Sequence, residues 1–285
     1  MGRGDLSAQI HGPGVVWFFI ELELERVTSK RMEEVIIREC TTIDELDRCV
    51  SLQREVFGLP DIEISPRRHL IVSRQAGGWT LGAFVADKLV GFVHHLAAVR
   101  NHNEIFGYSH MMAVEKSYQN KGVGAQLKWA QRDRALSEGR NFIKWTWDPM
   151  QARNAHFNLN RLGVTVDTFA DNFYGTDYVT DPEQETGQAA GLQSDRLFAN
   201  WHLDSERVAA LASGTSRTIV VKAVATVAIP PDWSALVRED VRTARLEQKR
   251  VRTEFKRAFD AKLVCAGFER GPGLPRYLLF EQNRI

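Results

Sequence analysis

The sequence of 285 residues predicts an α/β (α+β) fold, in which a mixed and mostly antiparallel sheet is flanked by helices. Residues 79–86 and 89–99 are apolar runs joined by Asp87 and Lys88, which predicts two strands in a tight hairpin. Residues 106–114 are a further apolar run, and it leads through a glycine-containing turn into a helix that ends near residue 138. Strands and helices therefore belong to one interleaved unit.

Local signals predict the elements that precede the hairpin. Residues 35–40 have the composition of a first strand. Thr41 or Thr42 caps a helix over residues 43–57, because a hydroxyl at this position can accept a hydrogen bond from the first turn. Pro66 begins a second helix that runs to about residue 74, since proline fits the first helical position.

The elements that follow the central helix are predicted in the same way. Gly163 ends the short helix, because glycine adopts the left-handed backbone that closes helices. A polar, glycine-containing stretch over residues 174–195 predicts a long loop. The predicted elements are a strand at 141–147, a short helix at 151–162, strands at 164–169, 197–203 and 218–229, a long helical pattern from Trp233 to Leu263, and a final strand at 276–281.

Composition limits the classes of partner and compartment. The formal net charge of +1 gives no overall field that would attract nucleic acid or a membrane, so neither is expected as a partner. The three cysteines are widely spaced and predict reduced thiols in a cytoplasmic protein. The apolar run at residues 15–20 is too short for a membrane span. Residues 1–31 are therefore predicted to be an N-terminal extension, either an extra strand or a stretch outside the working fold.

The turn after residues 106–114 has the composition of an anion-binding loop. A helix N-terminus presents unpaired N–H groups and partial positive charge, and glycines let a phosphate approach the backbone. The P-loop pattern is absent, and the third glycine of the dinucleotide fingerprint would fall at Leu127. The pattern Gln/Arg-x-x-Gly-x-Gly/Ala is present at Gln119, Gly122 and Gly124. The residues alone therefore predict a pyrophosphate-binding loop.

This loop resembles the coenzyme A loop of the GNAT acyltransferases, and the order of predicted elements from residue 33 to 204 resembles theirs. The stretches 145–149, 154–163 and 192–197, with Trp201, are similar to a prokaryotic branch of predicted acetyltransferases within that family. The resemblance implies a GNAT domain over residues 32–204. Residues 205–285 are predicted to be a strand–helix–strand extension packed on that domain, because so small a unit buries too little surface to fold alone.

The resemblance implies that acetyl-CoA, or another acyl-CoA, binds where the 106–114 and 141–147 strands separate. The pantetheine arm would pair with one strand, and the pyrophosphate would take the loop amides. An acceptor amine would then attack the thioester directly. The residues implied in cofactor binding are Met112, Ala113, Val114, Gln119, Asn120, Lys121, Gly122, Val123, Gly124, Ala125 and Asn154.

The sequence departs from the family at the residue that supplies the proton. Many GNAT enzymes have a tyrosine four residues before the glycine that ends the short helix, and that position is Leu159 here. Tyr174 is the nearest substitute as the acid. His110 is the first candidate for the base and Asp148 the second, each with an ordinary structural role as the alternative. No metal is expected, because His156 has no suitably spaced partner.

The sequence therefore favours an acyl-CoA-dependent N-acetyltransferase acting on a small-molecule or peptide amine, with a homodimer left open. The main alternative is a CoA-binding sensor or scaffold without turnover, because Leu159 cannot donate a proton. A third alternative is an interaction protein that uses the moderately basic C-terminal helix, although interleaved acidic residues favour a solvated face there.

Overall fold

The computed structural model describes residues 34–176, 191–215, 222–271 and 273–284. The predicted extension at residues 1–31, with its apolar run, lies outside these ranges. Most of the predicted polar loop at 174–195 and the beginning of the predicted strand at 218–229 also lie outside them.

Among the described residues, seven strands form the larger sheet in the order β1-β2-β3-β4-β5-β7-β6, and three form the smaller sheet in the order β8-β10-β9. Every pair of neighbouring strands is antiparallel except β4 with β5. The predicted mixed and mostly antiparallel sheet is therefore confirmed. The strands are β1 (Ile36–Glu39), β2 (Trp79–Val85), β3 (Lys88–Arg100), β4 (Glu104–Val114), β5 (Phe142–Trp147), β6 (Phe169–Ala170), β7 (Arg196–His202), β8 (Ala225–Ala228), β9 (Leu263–Glu269) and β10 (Arg276–Glu281).

The helices flank these sheets, and their boundaries follow local signals. The helix α1 has the predicted bounds, with Thr42 as its N-cap and Gly58 in the left-handed conformation at its end. The helices are α1 (Ile43–Phe57), α2 (Arg67–Gln75), α3 (Val123–Ser137), α4 (Ala152–His156), α5 (Glu206–Ala212), α6 (Trp233–Glu239) and α7 (Val241–Asp260). A π-helical turn, Phe157–Arg161, continues α4.

Alternate residues of the central strands pack on opposite faces of the larger sheet. On β3, Phe92 belongs to the cluster that includes Leu52 of α1 and Leu70 of α2. The next residue, Val93, belongs to the cluster that includes Leu127 of α3. This alternation follows from the two-residue period of a strand, and it separates an α1/α2 face from an α3 face.

The C-terminal residues share a hydrophobic core with the larger sheet. One cluster contains Trp147 and Trp201 of the sheet together with Phe255 of α7 and Tyr277 of β10. An ion pair between half-buried Arg252 and buried Asp195, with N···O distances of 2.8 and 2.9 Å, crosses the same junction. The geometry agrees with an extension that packs on the preceding domain, while the boundary at residue 204 stays a prediction.

Three predicted elements differ from the structure. The strand expected at 164–169 is interrupted, because Thr165 bridges to β7 whereas Val166 bridges to Cys265 of β9. The long helical pattern is divided at Asp240, whose side-chain cap begins α7 as a separate helix. The helix ends at Asp260, and Leu263, which was counted in the helical pattern, begins the additional strand β9. Within the described residues, the strand expected at 218–229 is limited to β8. The extension forms its own small sheet.

Candidate active site at the separation of two parallel strands

The strands β4 and β5 pair over only two positions, Gly107 with Ile143 and Tyr108 with Lys144. Beyond Tyr108 the two strands separate, and the edge of β4 that faces β5 has no ladder partner among the described residues up to Val114. An unpaired strand edge offers N–H and C=O groups to an added strand. The gap is the one that the family resemblance implied.

A β-bulge lies at the beginning of this gap. The register between β3 and β4 shifts between His94, which pairs with Met111, and His95, which pairs with Ser109. His110 is therefore the extra residue of β4. Bulges re-aim side chains and often lie next to functional sites.

The far end of the gap leads into the predicted pyrophosphate loop. Gly122 is the N-cap of α3 with φ +86°, and no described side chain caps this helix end. The first-turn amides of an α-helix lack intrahelical acceptors, and the helix dipole adds partial positive charge there. Asn120 has φ +61°, a left-handed conformation that asparagine tolerates. The loop backbone is thus shaped to bind an anion.

The two glycines of the loop have different roles. A Cβ atom at Gly122 would meet nothing within 4 Å, so the requirement for glycine comes from its positive φ. At Gly124 a Cβ atom would lie 3.6 Å from Met112 and 4.0 Å from Val114, which is ordinary contact. The loop pattern permits Gly or Ala at this second position, in agreement with the available space.

The side chain of Gln119 holds the loop against its neighbours. Its Nε2 donates to the Val114 carbonyl at 2.9 Å, and its Oε1 accepts from Arg153 of α4 at 3.1 Å. The loop is therefore tied both to the end of β4 and to α4. Asn154, next to Arg153, is exposed. The sequence singled out Gln119 and Asn154 but not Arg153, which brings a positive charge to the loop.

Three hydroxyl groups from separate strands and loops meet near the gap. The Tyr174 hydroxyl lies 3.3 Å from Thr146 Oγ1 on β5. Burial raises the pKa of Tyr108 to about 12, with a further contribution from Tyr174 and an opposing hydrogen bond with Thr146. The backbone of Tyr174 is also fixed, because its N–H donates to Ser194 Oγ at 2.7 Å. The structure thus places the candidate acid beside the separating strands.

His110 lies on the α1/α2 face with two further histidines, His69 of α2 and His94 of β3. Their ring centroids are 5.4 to 5.9 Å apart. Desolvation and repulsion from His69 lower the pKa of His110 to about 4, so its ring is neutral at pH 7. A group with so low a pKa binds a proton weakly, and the role of His110 as the base stays a prediction.

Asp148 and Leu159 have positions that fit structural roles. Asp148 accepts a hydrogen bond from the Met150 N–H at 2.9 Å, as in a turn, and burial raises the pKa of its carboxyl group. Leu159 is fully buried in the large core cluster. The position that is a tyrosine in many relatives therefore contributes to packing, and the role of Asp148 as a base stays a prediction.

The α3 face beneath the gap holds a buried lysine. Lys128 Nζ donates to Ser109 Oγ at 3.0 Å and to Gln131 Oε1 at 2.7 Å, and it lies 3.7 Å from the centroid of the Trp145 ring. Burial lowers the pKa of Lys128 well below its usual value. The side chain fixes Ser109, the residue that precedes the bulge, from the opposite face of β4.

Sequence reasoning missed the side chains whose roles depend on contacts between distant elements. Tyr108 could have been found from strand alternation, since it lies two residues before His110 on β4. Thr146, Lys128 and the histidine pair of His69 and His94 left no local signal. The expectation that no metal binds was based on His156, and it did not consider these histidines.

Comparison with known proteins assigns the class. Residues 44–163 match the model of the acetyltransferase (GNAT) family. The match shows a GNAT acetyltransferase domain over these residues. This match supports an acetyltransferase fold that is consistent with acetyl-CoA-dependent acetylation. No curated protein matches the sequence.

Solved structures show likeness at low identity. The ribosomal-protein-S18-alanine N-acetyltransferase from Escherichia coli is 14% identical with a TM-score of 0.45, covering 60% of this chain and 96% of that chain. A GNAT family acetyltransferase from Elizabethkingia anophelis with acetyl-CoA bound is 14% identical with a TM-score of 0.42, covering 59% and 97%. An aminoglycoside acetyltransferase from an uncultured soil metagenomic sample is 19% identical with a TM-score of 0.34, covering 37% and 72%. These values carry no information about the acceptor of this chain.

None of the described helices combines the length and apolar sequence that a membrane span needs.

Proposed function

We propose that the protein transfers an acetyl group from acetyl-CoA to an amine by direct attack on the thioester. The observation that carries the proposal is the continuity of the site. The unpaired edge of β4 begins at Ser109, runs to Val114 and leads directly into the uncapped N-terminus of α3. A pantetheine arm needs a strand edge, and a pyrophosphate needs free amides one loop away.

The cofactor would lie along this path in a defined order. The thioester and pantetheine would pair with backbone groups of Met112, Ala113 and Val114. The pyrophosphate would accept hydrogen bonds from the amides of residues 119–125, with Arg153 and Lys121 adding positive charge. Asn154 would face the cofactor from α4. Gln119 would act by positioning the loop, because both ends of its amide are already bonded within the protein.

The reaction needs one proton donor and one route for proton release. As the amine nitrogen bonds to the acetyl carbon, a β4 N–H group would stabilise the oxyanion. The carbon–sulfur bond then breaks, and the sulfur takes a proton. We assign that proton to the Tyr174 hydroxyl, since Thr146 holds it beside the gap. The amine proton leaves to water, and Tyr174 recovers its own proton from solvent.

A CoA-binding sensor or scaffold is the second candidate function. The buried Leu159 at the family's tyrosine position favours it, because the usual acid is missing. The class of acceptor, a small molecule or a peptide, does not help to distinguish the transferase from the sensor. Formation of a homodimer stays a prediction.

The decisive experiment measures thiol release from acetyl-CoA across a panel of small-molecule and peptide amines. Turnover above the rate without protein supports the transferase. Acetyl-CoA binding in calorimetry without turnover on any amine supports the sensor. Tyr174→Phe should lower kcat by ~10²-fold or more if its hydroxyl is the acid, since general acids contribute ~10²–10⁴-fold. A decrease of less than about threefold would remove Tyr174 from the mechanism.

A further inference from the structure

Three histidines that are far apart in the sequence form one cluster on the α1/α2 face. His69 comes from α2, His94 from β3 and His110 from the bulge of β4. His94 is buried, His69 is half-buried and His110 is exposed. The cluster therefore extends from the interior of the domain to its surface.

The three rings make edge-to-face contacts with one another. Their planes meet at 66° to 69°, and one nitrogen atom of each ring lies within 4.8 Å of the others. Around a tetrahedral ion with bonds of about 2.0–2.1 Å, nitrogen atoms lie roughly 3.4 Å apart. Side-chain rotations that bring the nitrogens closer by up to roughly 1.4 Å would complete that geometry.

The cluster contains a polar atom that the protein leaves without a partner. His69 Nε2 is buried and has no hydrogen-bond partner among the described residues. Burial of a polar atom without a partner is destabilising, because the atom loses its hydrogen bonds to water. A bound cation would use this lone pair, because a neutral imidazole nitrogen is a strong metal ligand.

The innermost ring is already fixed in orientation. Thr80 Oγ1 lies 2.8 Å from His94 Nδ1, and Ser73 Oγ lies 3.1 Å from His94 Nε2. Hydrogen bonds of this kind orient the histidine ligands of metal sites. Ser73 Oγ also donates to the Leu70 carbonyl at 3.0 Å. Ser73 would therefore keep a hydrogen-bond partner if an ion displaced it from His94 Nε2.

We propose that His69, His94 and His110 form a three-histidine site for Zn²⁺. Three imidazole nitrogens with no carboxylate or thiolate are a ligand set that suits late first-row divalent ions, of which Zn²⁺ accepts three histidines with an open fourth position. That position faces outward, because His110 is the exposed member. Water or a donor atom of a small molecule would occupy it.

The proposal does not depend on acetyl transfer. It concerns the free chain, and it needs neither acetyl-CoA nor an acceptor. If Zn²⁺ binds to a chain without transferase activity, only the proposed function fails. If turnover is found without Zn²⁺ binding, only the metal site fails.

The test is a Zn²⁺ titration of the full chain, produced without a histidine tag and freed of metal with a chelator. Competition with a colorimetric chelator should show one Zn²⁺ per chain. His69→Gln and His110→Gln should each weaken binding by at least ~100-fold, since loss of a group that merely orients a ligand already costs ~10–100-fold. His102→Gln and His202→Gln, at exposed positions outside the cluster, are the matched controls and should change the affinity less than twofold.

Two further measurements keep the result independent of variant stability. Zn²⁺ should raise the Tm of the unmodified chain but not that of His110→Gln. This variant should fold normally, because His110 is exposed. Co²⁺ in place of Zn²⁺ should give the visible absorption of a tetrahedral site. Absence of saturable binding to the unmodified chain overturns the proposal. Equal affinity in the cluster variants and the controls also overturns it.

Discussion

The N-termini of α1 and α3 differ in how their free amides are used. At α1, Thr42 Oγ1 accepts from the Glu45 N–H at 3.3 Å, and Glu45 Oε2 accepts from the N–H groups of Thr41 and Thr42 at 2.7 and 3.1 Å. At α3, the N-cap is Gly122, without a side-chain cap and without an acidic residue in the first turn. One helix start is closed by its own side chains, whereas the other is left open.

The difference indicates two local roles, helix stability at one start and ligand binding at the other. A capping box satisfies orphan donors and stabilises the helix by about 1 kcal/mol. A glycine with positive φ gives up that stabilisation and leaves the donors exposed. Stability should therefore depend on the start of α1, and cofactor binding on the start of α3. The predictions below test this separation.

The largest expected effect comes from closing the start of α3. Gly122→Glu forces a side chain onto a residue with φ +86° and places a negative charge beside the proposed pyrophosphate site. We expect acetyl-CoA binding, measured by calorimetry, to weaken by several kcal/mol, or more than ~100-fold, as charge-assisted hydrogen bonds are lost.

Gly139→Glu is the matched control for this change. Gly139 follows the other end of α3 with φ +74°, and a Cβ atom there also meets nothing within 4 Å. The control therefore introduces the same charge and similar strain away from the loop. Unchanged acetyl-CoA affinity in a folded Gly122→Glu protein, or an equal loss in Gly139→Glu, would contradict the assignment of the loop.

A smaller effect is expected when the open start loses its support. Gln119→Ala removes the contacts to the Val114 carbonyl and to Arg153, at 2.9 and 3.1 Å. Each such hydrogen bond contributes about 0.5–1.5 kcal/mol, so affinity should decrease by roughly 1–2 kcal/mol, or ~5–30-fold. Calorimetry gives the affinity, and thermal unfolding checks that the variant is still folded at the temperature of the binding measurement. An unchanged affinity would mean that the loop holds its conformation without Gln119.

The converse change opens the start of α1. Thr42→Ala removes the hydroxyl that accepts from the Glu45 N–H, and we expect the free energy of unfolding to fall by about 1 kcal/mol. Acetyl-CoA affinity should not change. Denaturant unfolding and calorimetry measure the two quantities on one preparation. Weaker cofactor binding in this variant would show that the two helix starts are not independent.

The same contrast shows which parts of the molecule a sequence can predict. The bounds of α1 follow from Thr42 and Gly58, and the loop before α3 follows from Gln119, Gly122 and Gly124, so reasoning from nearby residues found both. The bulge at His110 depends on the register between β3 and β4. The cluster with His69 and His94, and the approach of Tyr174 to Thr146, depend on that register and on the packing of separate elements, which no local pattern specifies.

The C-terminal region shows the same limit. The apolar spacing from Trp233 onward predicted helix correctly as far as Asp260, but it included Leu263, which begins β9, and it did not show the break at Asp240. Residue 166 was predicted to continue a strand, yet it pairs with Cys265 of the extension. Tertiary packing decides which backbone groups pair when they lie about a hundred residues apart. The spacing of apolar residues within one segment therefore does not predict such pairs.

The smallest expected effect is a pH dependence at the capped helix. Burial alone would raise the pKa of Glu45, but hydrogen bonds from the Thr42 and Thr41 amides and from Arg38 lower it overall. A carboxyl group whose pKa is lowered on folding stabilises the protein above its unfolded pKa of about 4.3, and this contribution is lost as the pH falls through the folded pKa.

Glu45→Gln keeps a capping group without the charge. The unmodified chain should therefore be more stable than Glu45→Gln at pH 7 by about 0.5 kcal/mol. The difference should shrink below pH ~4, where the glutamate becomes protonated. Urea unfolding at both pH values measures it, and a difference that stays constant with pH would show that the charge of Glu45 contributes nothing to the start of α1.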